Sequence, residues 1–240
     1  VVFVMGGIGS HTFCCYCSPT LQKGEPILII SLLGQKGGTG KSALARTLAV
    51  EFIRNGWKAH IADMDRGQQT ALRWGERRRA NGISPAVTVT AYQRVSKALS
   101  GAGASDVMIM DGKGFVDAHA LRIALASTLV VIPVGMSVDD LEANLTLATG
   151  LVARGVSRQS MVFVVCRVAE RGEKEAMHTR ASIKDWGFNP VRGWLPFKTA
   201  YSKALDKGLA LTETRFQTLN TRADHVVEQL VDQAIKNDQK

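Results

Sequence analysis

The chain has 240 residues, of which 45% are hydrophobic and 21% are charged. This length suits one large α/β domain with a sizeable core, and the composition excludes a chain that is disordered throughout. Lys and Arg number 30 against 21 for Asp and Glu, so the net charge is +9, which favours a polyanionic partner such as nucleic acid.

The first 25 residues differ from the rest. The segment VVFVMGGIGSHTFCCYCSP is mildly apolar, has no basic start and shows no period, which argues against a secretory signal. The cysteines between Cys14 and Cys17 offer only one CxxC-like pair, too few for a zinc tetrahedron. Because Cys166 is alone in the remainder, a reducing, cytoplasmic setting is expected. We interpret 1–25 as a poorly ordered extension and 26–240 as a single domain.

From residue 26, apolar runs of strand length alternate with segments of helical spacing. Strands are predicted at 27–33, 59–62, 87–91, 107–110, 129–134, 161–166 and 191–195, and helices at 42–55, 68–80, 93–99, 117–126, 139–154, 173–186 and 219–235. Gly56 stands where a helix C-cap is expected. This alternation predicts an α/β fold with one doubly wound, mostly parallel sheet flanked by helices. In such a sheet the ligand lies at the carboxyl ends of the strands.

The loop after the first strand reads GQKGGTGKS and leads directly into a helix. Strand, glycine-rich loop and helix are the context of a P-loop, in which backbone amides and the helix N-terminus face phosphate oxygens. The pattern GxxxxGK[ST] fails only at its first position, where Gln35 replaces glycine. Lys41 is assigned to the β- and γ-phosphates and the Ser42 hydroxyl to Mg²⁺. The predicted nucleotide-binding residues of the loop are Gly37, Gly38, Thr39, Gly40, Lys41 and Ser42.

Two further strands end in carboxylates. In HIADMD, Asp63 and Asp65 are separated by one residue, and strand alternation sends both side chains to one side, at the end where the phosphates lie. The strand in DVMIMDG ends in Asp111, which in register with a P-loop indicates a carboxylate that acts on Mg²⁺ directly or through water. Gly112 and Gly114 flank a lysine and predict a mobile switch segment that senses the γ-phosphate.

The motif KGGTGKS adds a second lysine, Lys36, and so resembles the deviant Walker A motif of the ParA/MinD superfamily. The resemblance covers about 27–235 and is greatest to small ParA-type partition ATPases without an N-terminal DNA-binding domain. It implies a P-loop NTPase fold, ATP and Mg²⁺ as cofactors, and an ATP-dependent homodimer around two sandwiched nucleotides. It also implies that Lys36 reaches the partner's nucleotide, that Asp65 orients the attacking water, and that Asp63 supports this water and the Mg²⁺ shell.

Two later segments concern recognition of the nucleotide base. Leu195-Pro196-Phe197 resembles the family segment whose proline lies against the adenine. The strand at 161–166 usually ends Asn-Arg in the family, with the asparagine reading the base, but here it ends Cys166-Arg167. This departure puts base selectivity in question, and a buried core thiol is the other interpretation of Cys166. The resemblance assigns Arg167 and Pro196 to the nucleotide site.

The same resemblance implies that the excess of Lys and Arg forms a surface of the ATP-bound dimer, and that this surface binds DNA without sequence preference. The predicted DNA-contacting residues are Arg77, Arg78, Lys198, Lys203 and Arg222, and for each one a solvated helix face is the competing interpretation. The resemblance further implies a centromere-binding ParB-type partner that triggers hydrolysis, and a cytoplasmic, nucleoid-associated location. It leaves open whether dimers assemble further.

Two alternative functions compete with DNA partition. A membrane-cycling ATPase of the MinD kind needs a basic amphipathic C-terminal helix. The polar face of the last predicted helix instead carries Asp224, Glu228 and Asp232, which an anionic bilayer would repel. That helix is therefore expected to pack onto the sheet, with no membrane partner. The second alternative is a ParA-like ATP switch that serves conjugative DNA transfer or cell-pole positioning through a protein partner.

Overall fold

A seven-stranded parallel sheet forms the centre of the protein. The computed structural model describes residues 28–65, 67–103, 105–113 and 118–239, so the predicted extension at 1–25 lies outside the described residues. The strands are β1 (Leu28–Leu32), β2 (Ala59–Asp63), β3 (Thr88–Ala91), β4 (Val107–Asp111), β5 (Leu129–Val134), β6 (Met161–Val168) and β7 (Asn189–Pro196). Their order is β3-β2-β4-β1-β5-β6-β7, and every neighbouring pair is parallel. The predicted fold class is confirmed.

The helices connect the strands as the spacing predicts, with one addition. They are α1 (Lys41–Arg54), α2 (Thr70–Ala80), α3 (Val95–Ser100), α4 (Ala118–Leu125), α5 (Val138–Val152), α6 (Glu173–Asp185), α7 (Thr199–Asp206) and α8 (Gln217–Asp238), with 3₁₀ turns at Arg158–Ser160 and Leu211–Glu213. Helix α7 was not predicted. It buries only Tyr201 and Ala204, and two apolar positions are too few to show a period.

Strand side chains alternate between two cores, one on each face of the sheet. Leu28, Ile30 and Leu32 pack with α1, α2, α7 and α8, whereas Ile29 and Leu33 pack with α3 to α6. Burial on both faces explains why the strands read as continuous apolar runs. The apolar stripe of α8 is buried against the sheet, as expected, through Val226, Val227, Leu230, Val231 and Ala234.

Helix α1 ends at the predicted glycine. Gly56 has φ of 86° and donates its amide to the carbonyl of Ile53, while the Trp57 amide donates to the carbonyl of Phe52. These two bonds form a Schellman motif, which needs a left-handed residue at Gly56. The C-cap prediction is confirmed, and the chain turns here into β2.

Arg78 is a buried structural residue, so the prediction that it contacts DNA is wrong. Its side chain is 1% exposed, and its guanidinium pairs with the Glu213 carboxylate at 2.7 Å. It also donates to the carbonyls of Pro85 and Gly208. Burial alone would raise the pKa of Glu213, but the hydrogen bond and charge of Arg78, with help from Arg54, lower it instead. The pair fixes the 3₁₀ turn Leu211–Glu213 against α2.

Gly208 is required by the close approach of the chain after α7 to α2. Its φ is 85°, and a Cβ would lie 2.5 Å from the backbone nitrogen of Arg78. Gly155 has a similar φ of 95° but open space around the Cβ position. We expect Gly155→Ala to cost about 1 kcal/mol of unfolding free energy from backbone strain, and Gly208→Ala about 3 kcal/mol because the clash adds to it. Urea unfolding of both variants measures the difference, and equal losses would contradict the packing.

Candidate functional site

The P-loop lies at the carboxyl end of β1, where it opens onto a cavity of about 390 Å³. Gly38 and Gly40 have φ of 74° and 114°, left-handed values that turn the backbone toward the N-terminus of α1. The structure brings most predicted phosphate-site residues to this cavity, which is lined by Gly37, Gly38, Gly40, Lys41, Ser42 and Asp65, together with Arg46, Gln68, Thr70, Gly112 and Lys113. The carboxyl edge of the sheet therefore holds the site, as the parallel topology predicts.

The two lysines of the motif occupy different environments. Lys41 is 7% exposed, and its Nζ donates to the backbone carbonyl of Lys36 at 2.7 Å. Burial lowers the pKa of Lys41, against the charges of Asp111, Asp140 and Asp65. The side chain of Lys36 is exposed and forms no ion pair within the described part of the chain. Lys41 therefore lines the P-loop cavity, whereas Lys36 is exposed and is not among the residues that line it.

Asp111 fits the chemistry of a Mg²⁺ ligand. Its side chain is 2% exposed, and neither carboxylate oxygen has a hydrogen-bond partner among the described residues. Burial raises the pKa of Asp111 to about 6. Asp63 adds to the rise, and the nearby Ser42 hydroxyl, Arg46 and Lys41 oppose it, although the Ser42 hydroxyl is hydrogen-bonded to Thr70 at 3.0 Å and not to Asp111. A buried carboxylate without a hydrogen-bond partner is costly, and a bound cation would remove that cost. Mg²⁺ prefers oxygen ligands and needs few of them from the protein, because it keeps several waters and binds substrate phosphates. Asp111 and Ser42 could therefore hold the ion.

Asp63 and Asp65 have distinct positions. Both oxygens of Asp63 accept backbone amides, from Asp65 on one side and from Ala71 and Leu72 at the start of α2 on the other. Asp63 therefore holds the turn between β2 and α2, and its direct contact with metal stays a prediction. Asp65 lines the cavity, and its Oδ1 accepts the amides of the two residues Gly67 and Gln68.

Sequence reasoning missed the residue that braces the P-loop. Asn144 on α5 is fully buried, accepts the backbone amide of Gln35 at 3.1 Å and donates to the carbonyl of Asp140 at 2.9 Å. Gln35 is the position at which the motif lacks its usual glycine. The available signal was a polar amide between Ala143 and Leu145 in the stretch LEANLTLA.

A second cavity, of about 300 Å³, adjoins the P-loop at the ends of β6 and β7 and is lined by Arg167 and Pro196, the two residues beyond the P-loop that are predicted to bind the nucleotide. Arg167 has φ of 58°, donates to the carbonyl of Gly38 at 3.0 Å and lies 4.9 Å above the Phe197 ring. Pro196 lines the same cavity. Cys166 also lines it, yet is almost fully buried, and burial raises the pKa of its thiol. Cys166 is therefore a buried core thiol that also lines the second cavity.

The other residues predicted to contact DNA belong to α2, α7 and α8 or lie directly before α7, and these helices cover one face of the sheet. Lys203 and Arg222 are exposed, on α7 and α8 respectively. Lys198 borders the second cavity and pairs with Glu170 at 3.6 Å. Arg77 is half-buried, with one guanidinium nitrogen 3.5 Å from the carbonyl of Leu205. Lys203 and Arg222 are thus the predicted DNA residues with the freest side chains.

Comparisons with known proteins agree with this geometry. Residues 30–211 match the family described as the CobQ/CobB/MinD/ParA nucleotide binding domain. Septum site-determining protein MinD from Pyrococcus horikoshii, solved with Mg-ADP, superposes with a TM-score of 0.68 at 15% identity over 89% of this chain and 99% of that one. McdA from Cyanothece, solved with ATP, gives a TM-score of 0.66 at 15% identity, covering 88% and 96%.

A plasmid partition protein from Borrelia burgdorferi, described as putative and bound to AMPPNP, gives a TM-score of 0.68 at 15% identity over 86% of this chain and 99% of that one. At these identities the likeness establishes the fold. No curated protein sequence is similar enough to count as a relative. In the described part of the chain, no helix is both long and apolar enough to cross a membrane.

Asp111→Asn tests whether a buried charge is reserved for a ligand. The folded pKa of about 6 exceeds the unfolded 3.8, so ionised Asp111 opposes folding above pH 6, and this penalty disappears as the pH falls toward 4. Without nucleotide or Mg²⁺, we expect the variant to be more stable by about 2 kcal/mol at pH 8, with the advantage lost near pH 4. Urea unfolding at the two pH values measures this, and an advantage independent of pH would refute the assignment.

Proposed function

The chain belongs to the CobQ/CobB/MinD/ParA nucleotide-binding domain family, and we propose that it is a Mg²⁺-dependent ATPase of the ParA partition type. In this proposal the ATP-bound form is a dimer that binds DNA without sequence preference, and a centromere-binding partner stimulates hydrolysis and release. The observation that carries the proposal is the position of a buried carboxylate without a hydrogen-bond partner, that of Asp111, at the same sheet edge as a deviant P-loop and directly before Gly112, which lines the P-loop cavity.

The residues of the cavity suit hydrolysis of a terminal phosphoanhydride. Loop amides and the Nζ of Lys41, which exchanges the Lys36 carbonyl for phosphate oxygen, neutralise the charge of the triphosphate. Asp65 is oriented through Oδ1, which leaves Oδ2 to accept a proton of the attacking water. Attack by this water breaks the bond between the γ-phosphorus and the bridging oxygen, and ADP and orthophosphate result. Asp111 and Ser42 would hold Mg²⁺, which would supply positive charge against the negative charge that develops in the reaction.

An exposed Lys36 supports dimerisation around the nucleotide. The side chain lies outside its own cavity, five residues before a lysine that lies inside it. A flexible, charged stem at the mouth of the site can reach phosphates that a facing protomer holds. Such a dimer would form only when a triphosphate is present, because the terminal phosphate supplies the contact.

Lys36→Ala tests the dimer. With a nonhydrolysable ATP analogue, we expect this variant to sediment as a monomer while its ADP affinity stays within about threefold of the parent. Lys41→Ala should weaken binding of both nucleotides by about 100-fold or more, because it removes a charge inside the cavity. Lys97→Ala, an exposed lysine on α3, is the matched control and should behave as the parent does. Dimerisation of Lys36→Ala at parental concentration would overturn the role.

The position of the basic residues supports DNA as the polyanionic partner. Lys203 lies on α7, which also contributes Tyr201, Ser202 and Leu205 to the second cavity, so a DNA contact there can respond to the nucleotide. The apolar face of α8 is buried in the core and is therefore unavailable to a lipid bilayer. The net charge of +9 supplies the long-range attraction.

The DNA surface is tested by salt dependence. The ATP-bound parent should retain DNA and the ADP form should not. In the double variant Lys203→Ala/Arg222→Ala, the slope of log affinity against log salt should be smaller by about 2, one for each lost phosphate contact. Lys174→Ala/Lys184→Ala removes two exposed charges from α6, on the opposite face, and should leave the slope unchanged. An ATP-dependent dimer that retains no DNA would instead favour a switch acting through a protein partner.

A further inference from the structure

Arg46 is a buried cation in the phosphate cavity that neither the motif nor the resemblance assigns. It lies on α1, one helical turn after Ser42, and its residue is 7% exposed. It lines the same cavity as Lys41 and Asp65. Its Nε is buried without a hydrogen-bond partner among the described residues. A buried guanidinium with an unsatisfied donor is costly unless a ligand completes its bonding.

The packing around Arg46 sets the direction of its side chain. Helical side chains point back toward the N-terminus, so a side chain at position 46 lies over Ser42, which is one turn earlier at the mouth of the P-loop. On the other side, the guanidinium carbon lies 5.8 Å from the ring centroid of Trp74, a fully buried residue of α2. The indole of Trp74 is itself held by a hydrogen bond to the Leu209 carbonyl. The guanidinium is therefore supported from behind and directed at the phosphate end of the site.

Arg46 and Asp111 are buried near each other with opposite charges, yet they form no ion pair. Burial lowers the pKa of Arg46 to about 10, and the largest opposing effect is the charge of Asp111. By contrast, Arg78 and Glu213, which are structural partners, are in contact at 2.7 Å. A countercharge that served only stability would close the distance in the same way. The separation leaves the carboxylate for a cation and the guanidinium for an anion.

We propose that Arg46 binds a phosphate group in this cavity, either the terminal phosphate of the bound nucleotide or the orthophosphate that hydrolysis releases. The inference rests on the proposed function, since it assumes a nucleotide at the P-loop. A guanidinium presents its donors in a planar fork that matches two phosphate oxygens at once. Arg46 thereby supplies, from within one subunit, a cation additional to Lys41 and to the Lys36 of a facing protomer.

The test is calorimetric titration of Arg46→Met, which keeps the stem against Trp74 and removes the charge. The probes are ADP, a nonhydrolysable ATP analogue, and inorganic phosphate added to the ADP-bound protein, all with Mg²⁺. If Arg46 holds the terminal phosphate, the analogue binds at least about tenfold more weakly while ADP affinity stays within about twofold. If it holds the released product, phosphate affinity falls by a similar factor and the analogue is unaffected.

Two controls separate charge from folding. Arg73→Met removes the same charge from an exposed position on α2 outside the cavity and should leave all three affinities unchanged. Arg46→Lys keeps a cation without the fork and should give an intermediate loss, which a purely structural defect would not produce. Thermal unfolding without ligand confirms that each variant is folded.

The outcomes also distinguish this inference from the proposed function. Unchanged affinities for all three probes in Arg46→Met, or an equal loss for ADP and the analogue, would overturn the role of Arg46 alone. A parent protein that binds neither nucleotide would overturn both. Should Arg46→Met fail to fold, the Arg46→Lys titration decides by the same criteria, and parental affinities in that variant would count against the fork geometry.

Discussion

The candidate site depends on a buried carboxylate, without a hydrogen-bond partner among the described residues, at the carboxyl edge of the sheet. Asp111 ends the central strand β4, with Asp63 beside it in register on β2, and no donor among the described residues satisfies its oxygens. The core gives up stability to keep this charge, because desolvation opposes its ionisation. In the proposed function a magnesium–triphosphate complex would supply the missing partners, and ligand binding and folding would then be coupled at this residue.

Two buried arginines, Arg46 and Arg78, have different partners. Arg46 and Arg78 both lie against the ring of Trp74, at 5.8 and 5.4 Å. Arg78 meets Glu213, and the resulting pair holds the 3₁₀ turn that contributes Leu211 to the second cavity. Arg46 makes no ion pair with any residue that the structure describes, and it lines the cavity at the P-loop. Trp74 therefore separates a structural charge from one available to a ligand.

The departures from the plain P-loop pattern and from the resembled family are accommodated by contacts elsewhere in the fold. Gln35, in place of the usual glycine, is held by the buried amide of Asn144. Cys166, in place of the expected asparagine, packs against the P-loop, where a Cβ on Gly40 would lie 3.5 Å from its Sγ. Arg167 bridges the loop and the Phe197 ring. The second cavity is therefore shaped by packing and stacking, with a thiol at the position where the resembled family has an asparagine.

The amino-acid sequence determined the strands, the P-loop, the carboxylates beside it and the cap at Gly56, because these depend on local period, turn chemistry and adjacent residues. The tertiary structure alone decided the burial of Arg78, the bracing role of Asn144, the position of Arg46 and the existence of α7. The partner of Arg78 lies 135 residues away, and that of Asn144 lies 109 away. The sequence pattern around a charged helix residue does not show whether its side chain contacts solvent, a carboxylate or a ligand. Only the packing of distant segments determines which of the three it meets.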